Sequence, residues 1–219
     1  MKDWTEEMLC KKKSLGIEIQ LDEAFEGICK ILPSKFQEEF KKHAFIAGGA
    51  IYSHYNNLEV NDYDFFLDDV HLVSSFIAYF KDYVQDREVG NCLTGMYNRN
   101  TICLSKYAIS FNEKFQIIIK YIGTPKEVVS EFDFKHNMFS YKYGDKVECF
   151  SEWNSLIDNK IHFNEDRARD ICGIIMRIPK FKDKGFDISK KEISKMLIKL
   201  SENGFDDNEM EILENINTY

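Results

Sequence analysis

Two aspartates one residue apart, Asp62 and Asp64, open the apolar stretch DYDFFL, and a Gly-Gly pair, Gly48-Gly49, precedes them by one short helical segment. In a strand, alternate side chains share a face, so both carboxylates point one way while Tyr63 and Phe65 point the other. Two carboxylates on one face cannot both be buried without a counter-charge. Mg²⁺ supplies one: it is a hard cation that takes one or two protein carboxylates together with phosphate oxygens and water. Gly48-Gly49 complements that chemistry. Without Cβ atoms the backbone can approach phosphate closely, and the helix that follows offers N–H groups to an anion. Ser53 and Asn56, one and two turns in, are further candidate donors. A lone D-x-D or a lone GG is commonplace, but the order strand, GG, helix, D-x-D strand within about twenty residues is far more specific.

These residues need elements to position them. LDEAFEGICKILPSKFQEEFKKH carries apolar residues at helical spacing and is broken at Pro33, giving one interrupted helix or two short ones. HAFIA is a short buried strand that stops at Gly48-Gly49, AIYSHYNNL is a helix, and DYDFFL is the next strand. HLVSSFIAYFKDYVQ keeps apolar residues at a period of about 3.6 and packs on a sheet. Two hairpins are expected, YAISF with FQIIIKY and NMFSYKY with KVECF, the second turning at Gly144-Asp145. TPKEVVSEF between them reads as a short helix capped by Thr124 with Pro125 in its first turn. From Ser151 onward the chain reads as helical, including SEWNSLIDN, one helix across NEDRARDICGIIMRIPKFKDKGF, SKKEISKMLIKLSENG and NEMEILENI. The expected architecture is α+β: a mixed-sheet domain over 1–150 and a small helical extension over 151–219.

Composition narrows the function classes. The chain has 219 residues, 44% of them apolar, with eighteen Phe and eleven Tyr, enough for a real core. The N-terminus MKDWTEEMLCKKK is charged and unlike a secretory signal, and apolar runs such as Ile117-Ile118-Ile119 are far too short for a membrane span. The six cysteines, Cys10, Cys29, Cys92, Cys103, Cys149 and Cys172, form no CxxC and read as reduced thiols, so a cytoplasmic protein is expected. The net charge of −8 disfavours a grip on long nucleic acid through many phosphates. Charge is uneven, however: Asp170 to Leu200 holds eight Lys/Arg against four Asp/Glu, a segment that either faces a polyanion or is a solvated helix face.

The strand–GG–helix–DxD unit resembles the nucleotidyltransferase superfamily, and two later segments are similar to the head domain of class II CCA-adding enzymes and bacterial poly(A) polymerases. EFDFKHNMFSYKYGDKVECF keeps Asp133, Phe134, Asn137 and a following hairpin, and NEDRARDICGIIMRIPKFKDKGFDI keeps Glu165, Asp166, Arg169 and Gly185-Phe186. The resemblance implies a polymerase-beta-like fold and transfer of NMP from an NTP, ATP or CTP, to an acceptor hydroxyl. Asp62 and Asp64 would hold two Mg²⁺ ions, or Mn²⁺, and the acceptor would be an RNA 3′ end. It also implies that Asp133 and Asn137 contact the nucleotide sugar, and that Asp166 and Arg169 read the base from the start of a neck helix. Helix-start carboxylates with an i, i+3 ion pair account for the last motif equally well.

The departures are as informative. Where that family has Arg-Asp after the GG, this chain has Tyr52-Ser53; its paired arginines are Glu131 and Phe132; later neck arginines are Cys172 and Ile175. Lys120, Lys135 and Arg167 are candidates to neutralise the triphosphate instead. A third carboxylate has no clear occupant, because KFQIIIKY offers only Gln116, with Glu113 in the turn. The chain ends soon after the neck, without the helical domains that measure a tRNA, which keeps a protein or small-molecule acceptor and a phage-associated modifying enzyme open, as well as an inactive nucleotide-binding module. The five histidines lack metal-ligand spacing, with His136 beside Asn137 the one of interest, and Asp68-Asp69 read as a strand end and helix cap.

Overall fold

The computed structural model describes residues 8, 13, 16–89, 92–167, 169–205 and 207–214. Most of the charged N-terminal stretch, including Cys10, and the last residues to Tyr219 lie outside them. Pro33 separates the first two helices, α1 (Glu18–Cys29) and α2 (Ser34–His43). The fully buried strand β1 (Ala44–Ala47) then runs into α3 (Gly49–Tyr55), β2 (Tyr63–Leu67) and α4 (Val70–Lys81). Asp69 caps α4 by accepting from the His71 and Leu72 N–H groups, while Asp68 pairs with His43 and Lys142. Strands β3 (Val84–Val89), β4 (Cys92–Tyr97), β5 (Asn100–Ser105), β6 (Ala108–Phe111) and β7 (Phe115–Ile122) follow.

Helix α5 (Pro125–Ser130) starts at a capping box between Thr124 and Glu127. A 3₁₀ turn (Lys135–Asn137), β8 (Phe139–Lys142) and β9 (Glu148–Cys149) complete the sheet, and α6 (Ile171–Asp183), α7 (Lys190–Asn203) and α8 (Asp207–Glu214) follow a second 3₁₀ turn (Trp153–Leu156). The described strands form one mixed sheet in the order β3-β4-β5-β6-β7-β2-β1-β8-β9. Its only parallel pair among the described residues is β2 with β7. The fold is therefore α+β, a mixed sheet with flanking helices and further helices after it.

Alternating strand residues bury one face of the sheet against α1, α2 and α4, and the core there is aromatic. Phe25, Phe40, Phe65, Phe76 and Phe80 are all fully buried, with Phe25 edge-on to Phe65 at 5.0 Å between ring centres. Edge-to-face contacts of this kind suit the aromatic quadrupole and add to simple burial. A smaller cluster on the other face joins Phe45, Ala47, Phe66 and Val128.

Two features differ from the sequence expectation. Val84 and Gln85, expected at the end of the helix HLVSSFIAYFKDYVQ, belong instead to β3, and the described residues from there to Ser105, for which the sequence predicts no element, form the rest of three strands that extend one end of the sheet. Their polar, weakly alternating sequence hides them, and pairing with β6 makes them strands. The neck helix begins at Ile171 and not at Glu165. Asn164 donates its side-chain amide to the Ser130 and Phe132 carbonyls, 2.9 Å each, and Asp170 takes a left-handed φ of 58°, so the described residues between them, 165–167 and 169, are turn, coil and bend and not helix. Likewise SEWNSLIDN contributes only the 3₁₀ turn.

Candidate active site

The site is built on the central strands. Gly48 ends β1 with φ 86° and ψ −143°, a conformation strained for any residue with a Cβ. A Cβ placed on Gly49 would meet nothing within 4 Å, so this turn presents bare backbone to open space. On the neighbouring strand, Asp62 immediately precedes β2 and Asp64 lies within it. Asp64 is in register with Gln116 of β7, and the Gln116 amide donates to Asp62 Oδ2 at 2.8 Å. The strand position opposite Asp64, where a third carboxylate would stand, thus holds a neutral donor that orients one member of the pair.

Burial, and then the charge of Asp62, push the Asp64 carboxyl up to about 7. Neither aspartate has a Lys or Arg ion-pair partner among the described residues. A carboxylate pair that resists losing its second proton, without a cationic side chain to relieve it, fits a divalent cation. The fit is to two protein ligands only, since no cluster of three His, Cys, Asp or Glu suited to a metal occurs among the described residues. Phosphate oxygens and water would have to complete the shell, as Mg²⁺ commonly requires.

Beside the pair lies a cavity of about 340 Å³ that takes in Gly48, Gly49, Asp64, Asp133, Asn137 and three cations, Lys120, Arg167 and Arg177. Of the three cations proposed from sequence, Lys120 and Arg167 line it; Lys135 does not, and pairs with Glu152 at 3.5 Å. Arg167 is only 7% exposed and donates to both the backbone and side-chain oxygens of Glu131 at 2.6 Å. Its Nε is buried without a hydrogen-bond partner, 3.9 Å from Asp133. Arg177 on α6 donates Nε to Asp133 at 2.8 Å and Nη2 to Asp170 at 2.9 Å. Sequence reasoning missed Arg177; its only signal was membership of the basic stretch.

The remaining candidates divide. Asp133 and Asn137 line the cavity, although Asp133 is occupied by Arg177. Ser53 lines a second cavity of about 250 Å³ that shares Gly49 and Asn137 with the first. Asn56 faces away from both, donating to the Tyr52 and Leu156 carbonyls, and is a structural residue instead of a phosphate donor. Asp166 is exposed and lines neither cavity. Arg169 borders an adjoining basin of about 520 Å³ with Lys106 and Tyr107, and donates to Glu131 at 3.1 Å instead of pairing with Asp166. Glu165 pairs with Lys195 at 2.7 Å. The Glu-Asp-x-x-Arg residues therefore sit in a turn before the helix, not on its first turn.

No helix among the described residues is long and apolar enough to cross a membrane. The fold is similar to that of the Bacillus stearothermophilus CCA-adding enzyme solved in complex with CTP, with a TM-score of 0.50 and 14% identity over 75% of this chain and 43% of that one. The Thermotoga maritima CCA-adding enzyme complexed with tRNA gives a TM-score of 0.46 at 13% identity, over 78% of this chain and 43% of that one. At these identities the likeness is one of fold alone. In sequence, Gabija anti-defense 2 of Bacillus phage SPbetaL7 is 28% identical over 168 residues, 72% of this chain and 37% of the relative. The chain thus spans little more than a third of the length of that curated relative. The family model for Gabija anti-defense 2 matches residues 20–169, which include the whole strand–GG–helix–DxD unit, so this chain belongs to the Gabija anti-defense 2 family.

Proposed function

We propose that this chain is a metal-dependent nucleotidyltransferase that moves NMP from an NTP to an acceptor hydroxyl. The observation that carries the reading is a single cavity lined by the Gly48-Gly49 backbone, Asp64 and the cations Lys120, Arg167 and Arg177, with Asp62 just before the same strand and outside the lining. Nucleotidyl transfer needs positioning and charge neutralisation more than covalent help from the protein. Gly48-Gly49 lets the triphosphate lie against backbone, the three cations offset its charge, and Asn137 offers an amide to the sugar. The acceptor oxygen bonds to the α-phosphorus, the bond to the bridging β-phosphate oxygen breaks, and pyrophosphate leaves with the electron pair while the hydroxyl proton passes to solvent. Asp62 and Asp64 would hold Mg²⁺ or Mn²⁺, which when bound lowers the acceptor hydroxyl's pKa and stabilises the leaving pyrophosphate. The resemblance to CCA-adding enzymes favours ATP or CTP as donor and an RNA 3′ end as acceptor.

A second reading, a nucleotide-binding module without turnover, is favoured by one observation: Glu131 and Asp133 already neutralise Arg167 and Arg177. The two separate in one assay. The chain is incubated with each α-labelled NTP, Mg²⁺ or Mn²⁺ and bulk RNA, and the label is followed into RNA, protein and small molecules. Transfer that disappears in Asp62→Ala and Asp64→Ala supports the enzyme. Binding of NTP with no transfer to any acceptor supports the binding module and ends the enzymatic reading.

A further inference from the structure

The second cavity has a different chemistry. Its walls are aromatic, formed by Tyr52 of α3, Phe181 of α6, Phe186 and His136. These rings are packed together, His136 lying 4.5 Å from Phe186 and 5.3 Å from Tyr52 between ring centres, with Phe186 5.0 Å from Tyr52. Ser53, Asn61 and Asn137 contribute the polar edge, and Lys184 with Glu59 brings one charge of each sign. No arginine lines it. All three cations that suit a polyphosphate lie in the other cavity, across Gly49 and Asn137.

His136 is 2% exposed, and its Nδ1 is buried without a hydrogen-bond partner. A buried polar nitrogen left without a protein partner is costly, and a ligand that reaches it would remove that cost. Burial also holds the imidazole well below its usual range, down to about 3, so the ring is neutral at any physiological pH. It can then stack on an uncharged ring, and it offers either a donor or an acceptor nitrogen according to tautomer.

We infer that this aromatic cavity binds one nucleobase, carried by the acceptor whose ribose hydroxyl is presented to Asp62 and Asp64. Flat rings on several walls stack a base, and each Asn amide has both a donor and an acceptor with which to meet a base edge. At about 250 Å³ it is slightly smaller than the roughly 300 Å³ at which ligand cavities usually begin, which suits one base and not an oligonucleotide. Its near balance of charge excludes a triphosphate. The position matches the role: Asn61 adjoins Asp62 in sequence, and Gly49 and Asn137 belong to both cavities, so a ring here lies on the opposite side of the glycine turn from the cations. Two sources carry this chemistry, a free nucleoside or nucleotide and the 3′-terminal nucleotide of an RNA. The acceptor role rests on the proposed nucleotidyl transfer; binding of the base does not.

The test titrates the full chain with each of the four ribonucleosides in EDTA, by calorimetry. At least one is expected to bind with Kd below about 1 mM. Phe186→Ala and Tyr52→Ala should weaken it roughly 5- to 100-fold, the range of one base–aromatic stack, and Phe186→Tyr should restore most of it. Ser53→Phe fills the cavity from the partly exposed helix face and should abolish binding with an unchanged thermal midpoint, which keeps the test decisive if Phe186→Ala unfolds. Asp62→Asn and Asp64→Asn should retain nucleoside binding even though transfer is lost, so failure of the enzymatic reading is distinguishable from failure of this one. Absence of binding by every nucleoside, or binding that survives Ser53→Phe, overturns the inference. A nucleoside should bind together with a non-hydrolysable NTP and Mn²⁺; mutual exclusion would assign the cavity to the incoming base and overturn the acceptor role. Label transfer to a free nucleoside, or to a 3′-hydroxyl oligoribonucleotide but not its 3′-phosphate counterpart, identifies the source.

Discussion

Replacing Asp64 by Asn removes a carboxyl whose proton affinity is far from ordinary, and the consequence can be worked out. The group titrates near 7 in the folded chain against 3.8 when unperturbed, because β2 is partly shielded from water and Asp62 stands beside it. Three units at about 1.36 kcal/mol each give a ceiling of about 4 kcal/mol, and partial solvent access reduces this to about 1–3 kcal/mol. The sign follows from proton counts. Between pH 4 and 7 the unfolded chain has released this proton while the folded chain keeps it, so stability falls as pH rises through that window and is level above it. Asp64→Asn cannot titrate there. In EDTA its urea-unfolding free energy should exceed that of the natural chain by an amount that grows from pH 4 to 7 and then stays constant. With Mn²⁺ the order reverses: the cation takes the proton's place, so the natural chain gains stability with rising pH and the variant does not. Parallel stability-versus-pH curves for the two proteins in EDTA would show Asp64 to be an ordinary surface carboxylate and refute the reasoning.

Gly48→Ala forces a side chain into φ 86°, ψ −143° and should cost about 1–3 kcal/mol, read as a lower thermal midpoint, whereas Gly49→Ala meets no atom and should leave the midpoint unchanged while weakening NTP binding. Arg177→Met leaves Asp133 and Asp170 without their guanidinium; it should raise the Kd for NTP about tenfold or more in a filter-binding assay, and lower stability modestly. Gln116→Glu replaces the amide donor to Asp62 with a third acid: metal-free stability should drop by about 1–3 kcal/mol, and Mn²⁺ affinity measured by calorimetry should rise.

The sequence made the glycine turn and the Asp pair readable because strand, turn and helix there are contiguous and each residue type answers a local demand. The helix caps Asp69 and Thr124 were readable for the same reason, while Glu127's return bond to Thr124 came only with the structure. Lys120 and Arg167 were named as candidate cations, but Arg177 and the carboxylates that hold the arginines were not readable. Arg167 reaches Glu131 across 36 residues and Arg177 reaches Asp133 across 44, and no local pattern encodes such meetings. Glu131, at the place where the resembling family carries arginine, looked like a loss of charge, yet it holds Arg167 and Arg169. The premature start assigned to the neck helix has a related cause: Asn164 is claimed by two distant carbonyls, and that tertiary demand overrides the helical character of the residues after it.

Under the proposed nucleotidyl transfer, the carboxylates that grip Arg167 and Arg177 would act as resident stand-ins for phosphate. An incoming polyanion must displace Asp133 or Glu131 before it can use those guanidinium groups, so its apparent affinity is the difference between two charge-assisted contacts. Such a pocket ignores weak anions, since chloride or sulfate would have to outcompete a tethered carboxylate, and it responds to a ligand that engages several cations at once. On that reading Asp133 would set a threshold of selectivity as well as a fold contact, and Asp133→Asn should make the cavity bind anions more readily and discriminate among them less.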